Sequence, residues 1–398
     1  MRTAFNAGTA LIIVGVIIIA SIIGATFWHY FWSEARRAAK SEFDSIVART
    51  ERKPGTIVWL MRSYLPNVKA GSEITAHELN KYLLSLGWRI IVVLPDWQQW
   101  DVDGVKCIKF DPNSRAVADA FMAADVFFCQ NYDTIKSIDV LEPFKKPIVY
   151  FLHVEKEKHD ILQTRFSVPI GIVFNSITQK EANSTIHDNT ILRPFIDFDR
   201  FTPRSRHVID GPVVLLNVNK NKGGELLVKL AKSMPDVKFL GIKGAYLKQI
   251  EDRLPNLDYM PLQEDPRRIY EGAGIVIMPS KSESWGRVAL EAMASGVPVI
   301  VSKSPGLREC TSNAAANYCA YDDVACFGSA IRKLRSDPIA YRTAVASGLK
   351  RIKSLTSETD FSDFDKWIQN CLVTWKATEH AFDTIFVNAR PPASWDFP

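Results

Sequence analysis

The sequence has little of what marks a metal protein or a nucleic-acid binder. Its six cysteines stand at 107, 129, 310, 319, 326 and 371, with no CxxC pair. No Cys/His cluster has zinc spacing, which excludes the common structural zinc modules. Scattered thiols of this kind read as reduced and structural, Cys129 closing the apolar run DVFFC, and they favour a reducing compartment. No basic tract is interleaved with aromatics. A net charge of +5 over 398 residues is too small to argue for nucleic acid, though it suits an anionic membrane or anionic ligands. Neither a Walker loop nor a GxGxxG is present. What remains is 47% hydrophobic and 23% charged, a globular balance in a chain long enough for two ordinary domains and extras.

The N-terminus has the one long uncharged run. From Ala7 to Trp28 no residue is charged, and ALIIVGVIIIASIIGATFW is nearly continuous hydrocarbon, close to the ~20 residues that cross a bilayer. Trp28, Tyr30, Phe31 and Trp32 form an aromatic belt behind it. The run is too long for a signal-peptide core, and aromatics followed by SEARRAAK replace a cleavage site. An uncleaved single-pass anchor is expected. Arg2 alone flanks it on one side, Arg36, Arg37 and Lys40 on the other, which places the rest of the chain in the cytosol.

After a charged, helix-permissive stalk at 33–53, short apolar runs alternate with helical patterns. TIVWLM, WRIIVVL, VKCIKF, DVFFC, PIVYFL and GIVF read as strands, and Glu73 to Leu86 as a helix with Ala76, Leu79, Leu83 and Leu86 near one face. The stretch PFIDFDRFTPRSRHVIDGP, rich in Pro, Asp and Arg, reads as a linker. The alternation then restarts with PVVLLNV, a helix from Gly224, VKFLGI, helices near 245–254 and 265–272, GIVIMP, a helix holding Glu291, and PVIVS. Continuous Val/Ile/Phe runs between helices mean parallel sheets covered on both faces. Two such units predict an α/β protein of two doubly wound, Rossmann-like domains, with ligands in the cleft beyond the strand C-terminal ends.

The strand ends carry the chemistry. RSYLPNVKAGSE places Gly71 and Ser72 at a helix start, and NKNKGGELL places Lys220, Lys222, Gly223 and Gly224 at another; both suit a phosphate at a helix N-terminus. SKSESWGRVALEAMA puts Gly286 and Arg287 at a third helix start, with Glu291 in the apolar half of that helix and Glu283 just outside it. A buried carboxylate needs a partner or a ligand. A diphosphate at the helix end, Glu291 on ribose hydroxyls and Glu283 on a sugar would satisfy both, which describes a nucleotide sugar. A structural ion pair of Glu291 with Lys222 or Arg308 is the plainer alternative. Asp101-Val102-Asp103 is a DxD, but Gly104 follows it and a turn is the simpler reading than a metal pair; DFD at 197–199 shows how cheaply the pattern arises.

ESWGRVALEAMASGVPVI resembles the E-x7-E signature of retaining glycosyltransferases of the GT-B fold, in particular glycosyltransferase family 4. PNVKAGSE is similar to that family's N-terminal glycine loop, with Gly71-Ser72 for the usual Gly-Gly. ILRPFIDFDRFTP resembles its interdomain segment, and IYEGAGIVIMPSKSESWG and VIVSKSPGLRE its nucleotide-binding half. The resemblance implies transfer of a sugar from a UDP- or GDP-linked donor to a glycan, lipid or protein acceptor, without a metal or other cofactor. Beyond the anchor at 1–32 and the stalk at 33–53 read above, it implies an acceptor domain at 54–200, a linker at 201–211, a nucleotide-sugar domain at 212–360, and a C-terminal helix and tail at 361–398 that could cross back to the first domain. Glu283 and His153 are then the catalytic candidates. Glu291, Lys222, Lys220, Gly71, Ser72, Gly286, Arg287, Ser284 and Trp285 are the donor-binding ones. The family's diphosphate-binding Arg is Asn217 here, which leaves Lys220 to replace the charge. That departure keeps open a non-catalytic nucleotide-sugar-binding protein, and an epimerase on the same scaffold.

Overall fold

The computed structural model describes residues 54–386, except 96–99, 131–133, 154–159, 202–208, 245–246, 264 and 356–360. The expected anchor, the stalk and the end of the tail lie outside the described residues. Among the described residues no helix is long and apolar enough to cross a membrane. Residues 54–371 form one compact unit.

Within this unit the chain builds two sheets in sequence. The first joins β1 (Thr56–Met61), β2 (Arg89–Leu94), β3 (Trp100–Val102), β4 (Val105–Lys109), β5 (Val126–Gln130), β6 (Ile148–Leu152), β7 (Ile170–Phe174) and β8 (Asp188–Ile191) in the order β3-β4-β2-β1-β5-β6-β7-β8. Every pairing is parallel except the short β3–β4 hairpin at the edge. The second joins β9 (Val213–Leu216), β10 (Phe239–Ile242), β11 (Leu257–Met260), β12 (Ile275–Met278), β13 (Val299–Ser302) and β14 (Asn317–Cys319) in the order β11-β10-β9-β12-β13-β14, all parallel. In both, the first strand sits inside the sheet and the chain turns outward on each side of it. Such a switch point opens a crevice at the strand C-terminal ends.

Helices cover the sheets: α1 (Gly71–Ser85), α2 (Arg115–Ala123), α3 (Thr134–Leu141) and α4 (Ile177–Ala182) in the first half. In the second are α5 (Gly224–Ser233), α6 (Arg267–Tyr270), α7 (Arg287–Ala294), α8 (Pro305–Thr311), α9 (Val324–Ser336), α10 (Pro338–Leu355) and the start of α11 (Ser362–Phe386). The continuous apolar strands follow from burial on both faces. Val213 and Leu215 enter one core cluster while Val214 between them enters the other, the period-two alternation of a strand packed on both sides. Phe364 of α11 packs against Phe128 and Phe151 of the first sheet at 5.9 and 5.8 Å.

Three expectations are corrected. Among the described residues 247–254 no helix forms. Leu247 takes a left-handed φ of 65°. Gln249 Oε1 accepts from Gly244 N–H at 2.9 Å, and Ile250 N–H bonds Val218 C=O at 2.8 Å, so the segment is tied to the loop after β9. The helix near 265–272 shrinks to the single turn of α6, ended by Gly272 and Gly274. Among the cysteines, 319 and 326 are joined in a disulfide, while 107, 129, 310 and 371 are free and buried. The β14–α9 turn brings that pair together, a closeness that spacing alone does not reveal.

Candidate functional site

A cleft of about 720 Å³ lies between the C-terminal ends of the two sheets. Gly71, Ser72, His77, Asp103, His153 and Asn175 line it from the first half, and Asn217, Lys222, Glu283, Ser284, Trp285, Arg287 and Glu291 from the second.

Lys222 and Glu283 meet there at 2.5 Å, with Glu283 12% exposed. Two devices hold them. The turn before α5 is a 3-10 turn capped by Asn219, whose Oδ1 accepts from Lys222 N–H at 3.0 Å. Gly223 follows with φ 95° against Pro279, a conformation and a space that exclude a side chain. Glu283 is held at its backbone: the Ser304 hydroxyl accepts from its N–H and donates to its C=O, both at 3.0 Å. Gly306 lets α8 approach, since a Cβ there would lie 2.2 Å from Glu283 O. Ser304 and Gly306 were not singled out from the sequence; their roles depend on α8 reaching a loop more than twenty residues earlier.

The paired glycines therefore differ from the expectation. The N–H groups of Gly223 and Gly224 bond Lys220 C=O and Asn219 C=O within the turn, at 3.1 and 3.0 Å. They shape the loop that delivers Lys222 and do not form an open phosphate cradle. Lys220 lies outside the cleft lining, 73% exposed and paired with Glu225 at 3.6 Å. It brings no charge to the cleft beside Asn217. Asn217 itself has φ 64°, and its Oδ1 accepts from Asn219 at 2.8 Å and Gln249 at 3.3 Å. Gly286 caps α7 but its Cβ space is filled by Cys310 and Leu307, at 2.5 and 2.6 Å, so packing explains that glycine.

Glu291, 7% exposed, is satisfied by protein. Oε1 accepts from Arg287 Nε one helical turn earlier at 2.8 Å, and Oε2 accepts from the Tyr270 hydroxyl at 2.9 Å. Lys222 and Arg308 are not its partners; Lys222 is taken by Glu283, and Arg308 lies over the Tyr318 ring. Burial beside the Glu291 carboxylate holds the Tyr270 hydroxyl well above its ordinary range, so it stays a donor. Arg287 Nη1 is buried without a partner, as is the Trp285 indole Nε1. The first intrahelical bond of α7 is Leu290 N–H to Gly286 C=O at 3.1 Å, which leaves the preceding first-turn N–H groups facing the helix end. Two carboxylates, two cations and a helix N-terminus thus share one wall. In this state each cation is held by a carboxylate.

On the opposite wall His153 Nε2 bonds Gln130 Oε1 at 2.7 Å, and Nδ1 accepts from Asn175 Nδ2 at 3.4 Å. Burial pushes its pKa down to about 4, so the ring is neutral at ordinary pH. Ser72 donates to Glu73 Oε2 at 2.7 Å. Ser284 Oγ donates to His153 C=O at 2.9 Å and accepts from Asn175 at 3.2 Å, which ties the two halves beside the site. Arg193 stacks on Trp285 at 5.5 Å, and the Glu309 carboxylate accepts from the N–H groups of Ile177 and Thr178 at 2.9 and 2.8 Å. Asp101 lies in β3 and Asp103 in the hairpin turn, and among the described residues no group of three or more His, Cys, Asp or Glu side chains is placed to hold a metal.

Two Rossmann-like sheets facing across such a cleft define a GT-B-like fold. Sucrose-phosphate synthase from Thermosynechococcus elongatus superposes with a TM-score of 0.60 at 15% identity, over 84% of this chain and 100% of that one. HepE of Anabaena in complex with UDP-glucose gives 0.61 at 15%, over 80% and 100%. At that identity the likeness is one of fold. Residues 213–351, the half holding Lys222, Glu283 and Glu291, match the family described as Glycosyl transferases group 1. D-inositol 3-phosphate glycosyltransferase of Mycobacterium sp. (strain KMS) is 30% identical over 29% of this chain and 32% of its own length. Glycogen synthase of Mycobacterium tuberculosis (strain CDC 1551 / Oshkosh) is 37% identical over 22% and 21%. The chain therefore aligns with about a third or less of the curated relatives it matches.

Proposed function

We propose that the protein is a retaining glycosyltransferase, which moves a sugar from a UDP- or GDP-linked donor to a glycan, lipid or protein acceptor. The observation that carries this reading is the wall holding Glu283 and Glu291 on either side of the start of α7, within the stretch that matches group 1 glycosyl transferases. The diphosphate would take Lys222 and Arg287 from their present carboxylates, and the first turn of α7 would add its N–H groups. Glu291 would accept from the ribose hydroxyls and Glu283 from the sugar, where contacts made in the transition state raise turnover. Glu283, clamped by Ser304, and His153, neutral and fixed at both nitrogens, would be the groups at the reacting end. His153 contributes position and a dry wall, because neither ring nitrogen is idle. Helix N-termini and two cations make a divalent ion unnecessary in this reading. The uncharged N-terminal run supports an anchor, and Arg36, Arg37 and Lys40 behind it support a cytosolic side for this unit.

Asn217 favours a second reading, a nucleotide-sugar binder without turnover, because its side chain supplies no cation and its amide oxygen is taken by Asn219 and Gln249. One experiment separates the two. Purified protein is screened with UDP- and GDP-sugars for ligand-induced melting shifts, and stabilising donors are then assayed for hydrolysis and transfer. Turnover is expected. Stabilisation without turnover selects the binder, and no stabilisation by any nucleotide overturns the donor site.

A further inference from the structure

Five side chains behind the cleft form one hydrogen-bonded line whose direction is forced. The Trp59 indole Nε1–H can only donate, and bonds Asn80 Oδ1 at 2.7 Å. Asn80 Nδ2 donates to the Tyr64 hydroxyl at 2.9 Å, which leaves the single Tyr64 proton for His77 Nδ1, also at 2.9 Å. A His77 that accepts at Nδ1 carries its proton at Nε2, and this donates to Asp103 Oδ2 at 2.9 Å. Trp59, Tyr64 and Asn80 are fully buried and His77 is 5% exposed, whereas the Asp103 carboxylate is 63% exposed. Buried polar groups are costly unless every member is paired. Here all are paired, and the line is a stiff mount for the one carboxylate at its end.

That carboxylate is set in the β3–β4 turn at φ 47°, a region few side chains other than Asp and Asn adopt. It lines the same cleft as Glu283 and Lys222, from the half opposite α5 and α7. Its Oδ1 has no protein partner among the described residues. His77 has no nitrogen to spare for a ligand, so Oδ1 is the group this line presents. It is acceptor-only and negatively charged. It suits a hydroxyl donor and repels an anion.

We infer that Asp103 is a specificity residue for the acceptor: Oδ1 accepts a hydrogen bond from a hydroxyl of a sugar or sugar-like polyol, and His77 is the positioning residue that fixes the carboxylate. This rests on the glycosyltransferase reading above. It gives the second half of the DxD a use in recognition rather than in metal binding.

The test compares Asp103→Asn with Asp103→Ala in the full chain. The Asn amide oxygen still accepts from His77, so the hairpin stays tied, but an NH2 replaces the free acceptor. Three quantities are measured: melting temperature, affinity for UDP and GDP by calorimetry, and transfer from the donor that wild type uses. Acceptors are glucose, mannose, galactose, N-acetylglucosamine and myo-inositol. Asp103→Asn is expected to raise the acceptor KM at least about tenfold, the loss of one charge-assisted hydrogen bond. Melting and nucleotide affinity should stay at wild-type values. A wild-type acceptor KM in Asp103→Asn, with only Asp103→Ala melting lower, reduces Asp103 to a hairpin tie and overturns the inference. Wild type binding nucleotide yet using no acceptor of the panel also overturns it, while the donor site stands. Wild type binding no nucleotide removes the donor reading and this inference with it.

Discussion

Replacing Glu291 with Gln keeps the side-chain shape and removes a charge that two groups now share. In the free protein the amide oxygen can still take the Arg287 Nε–H, and the amide nitrogen can donate to a turned Tyr270 hydroxyl. The bonds survive, but the Tyr270 bond loses its charge assistance and the Arg287 bond loses its ion pair. A bond to an ionised group contributes ~1.5–3 kcal/mol against ~0.5–1.5 kcal/mol for a neutral one, so the free protein should lose roughly 1–1.5 kcal/mol. For a unit of this size that lowers Tm by about 1.5–2 °C. The nucleotide effect is separate. If ribose hydroxyls bond the carboxylate, the variant loses a charge-assisted pair in the complex, and Kd for the bare nucleoside diphosphate rises roughly 10- to 150-fold. Calorimetric titration with UDP and GDP well below Tm reads affinity per folded molecule, and melting of the free protein reads the structural share. A lowered Tm with both nucleotide affinities at wild-type values would refute the ribose role and leave Glu291 as the anchor of Tyr270 and Arg287.

Glu283→Gln should lower turnover at least about tenfold while UDP and GDP bind as well as before or more tightly, because Lys222 is released toward the phosphates; unchanged turnover sinks the sugar-facing role. Burial holds the His153 pKa at about 4, below its ordinary 6.5. Between those values the unfolded chain binds a proton that the folded chain does not, so stability falls as pH drops through that window. His153→Gln should flatten this acid slope, and identical curves of Tm against pH would refute it. Activity should survive EDTA; loss that manganese restores would put a metal in the cleft. Protease treatment of sealed microsomes should cut the large unit, and a protected C-terminus would reverse the topology.

The α/β alternation was legible because its signals are local: an unbroken Val/Ile/Phe run has few explanations besides a strand covered on both faces. Glu291 stood out for the same reason, as a carboxylate among apolar helix residues. Its partners did not. Tyr270 lies twenty-one positions away and reaches Glu291 only because α6 packs beside α7. Lys220 and Lys222 look equivalent in sequence, yet one 3-10 turn sends the first to solvent and the second into the cleft. The buried polar face of α1, Glu73, His77 and Asn80, escaped notice beside the leucines because its worth depends on Trp59 and Tyr64 arriving from β1 and the loop after it. A helix pattern near 245–254 failed where tertiary hydrogen bonds from Val218 and Gly244 outweighed local propensity.

The seven residues of α8 work as a rocker. At one end Ser304 and Gly306 grip the backbone of Glu283. At the other, Glu309 grips the first turn of α4 and reaches Arg193 at 3.4 Å, both in the opposite half. Any tilt of one half against the other loads α8 together with the Ser284 ties to His153 and Asn175, and Glu283 lies between the two. The width of the cleft and the aim of the Glu283 carboxylate are thereby geared to each other.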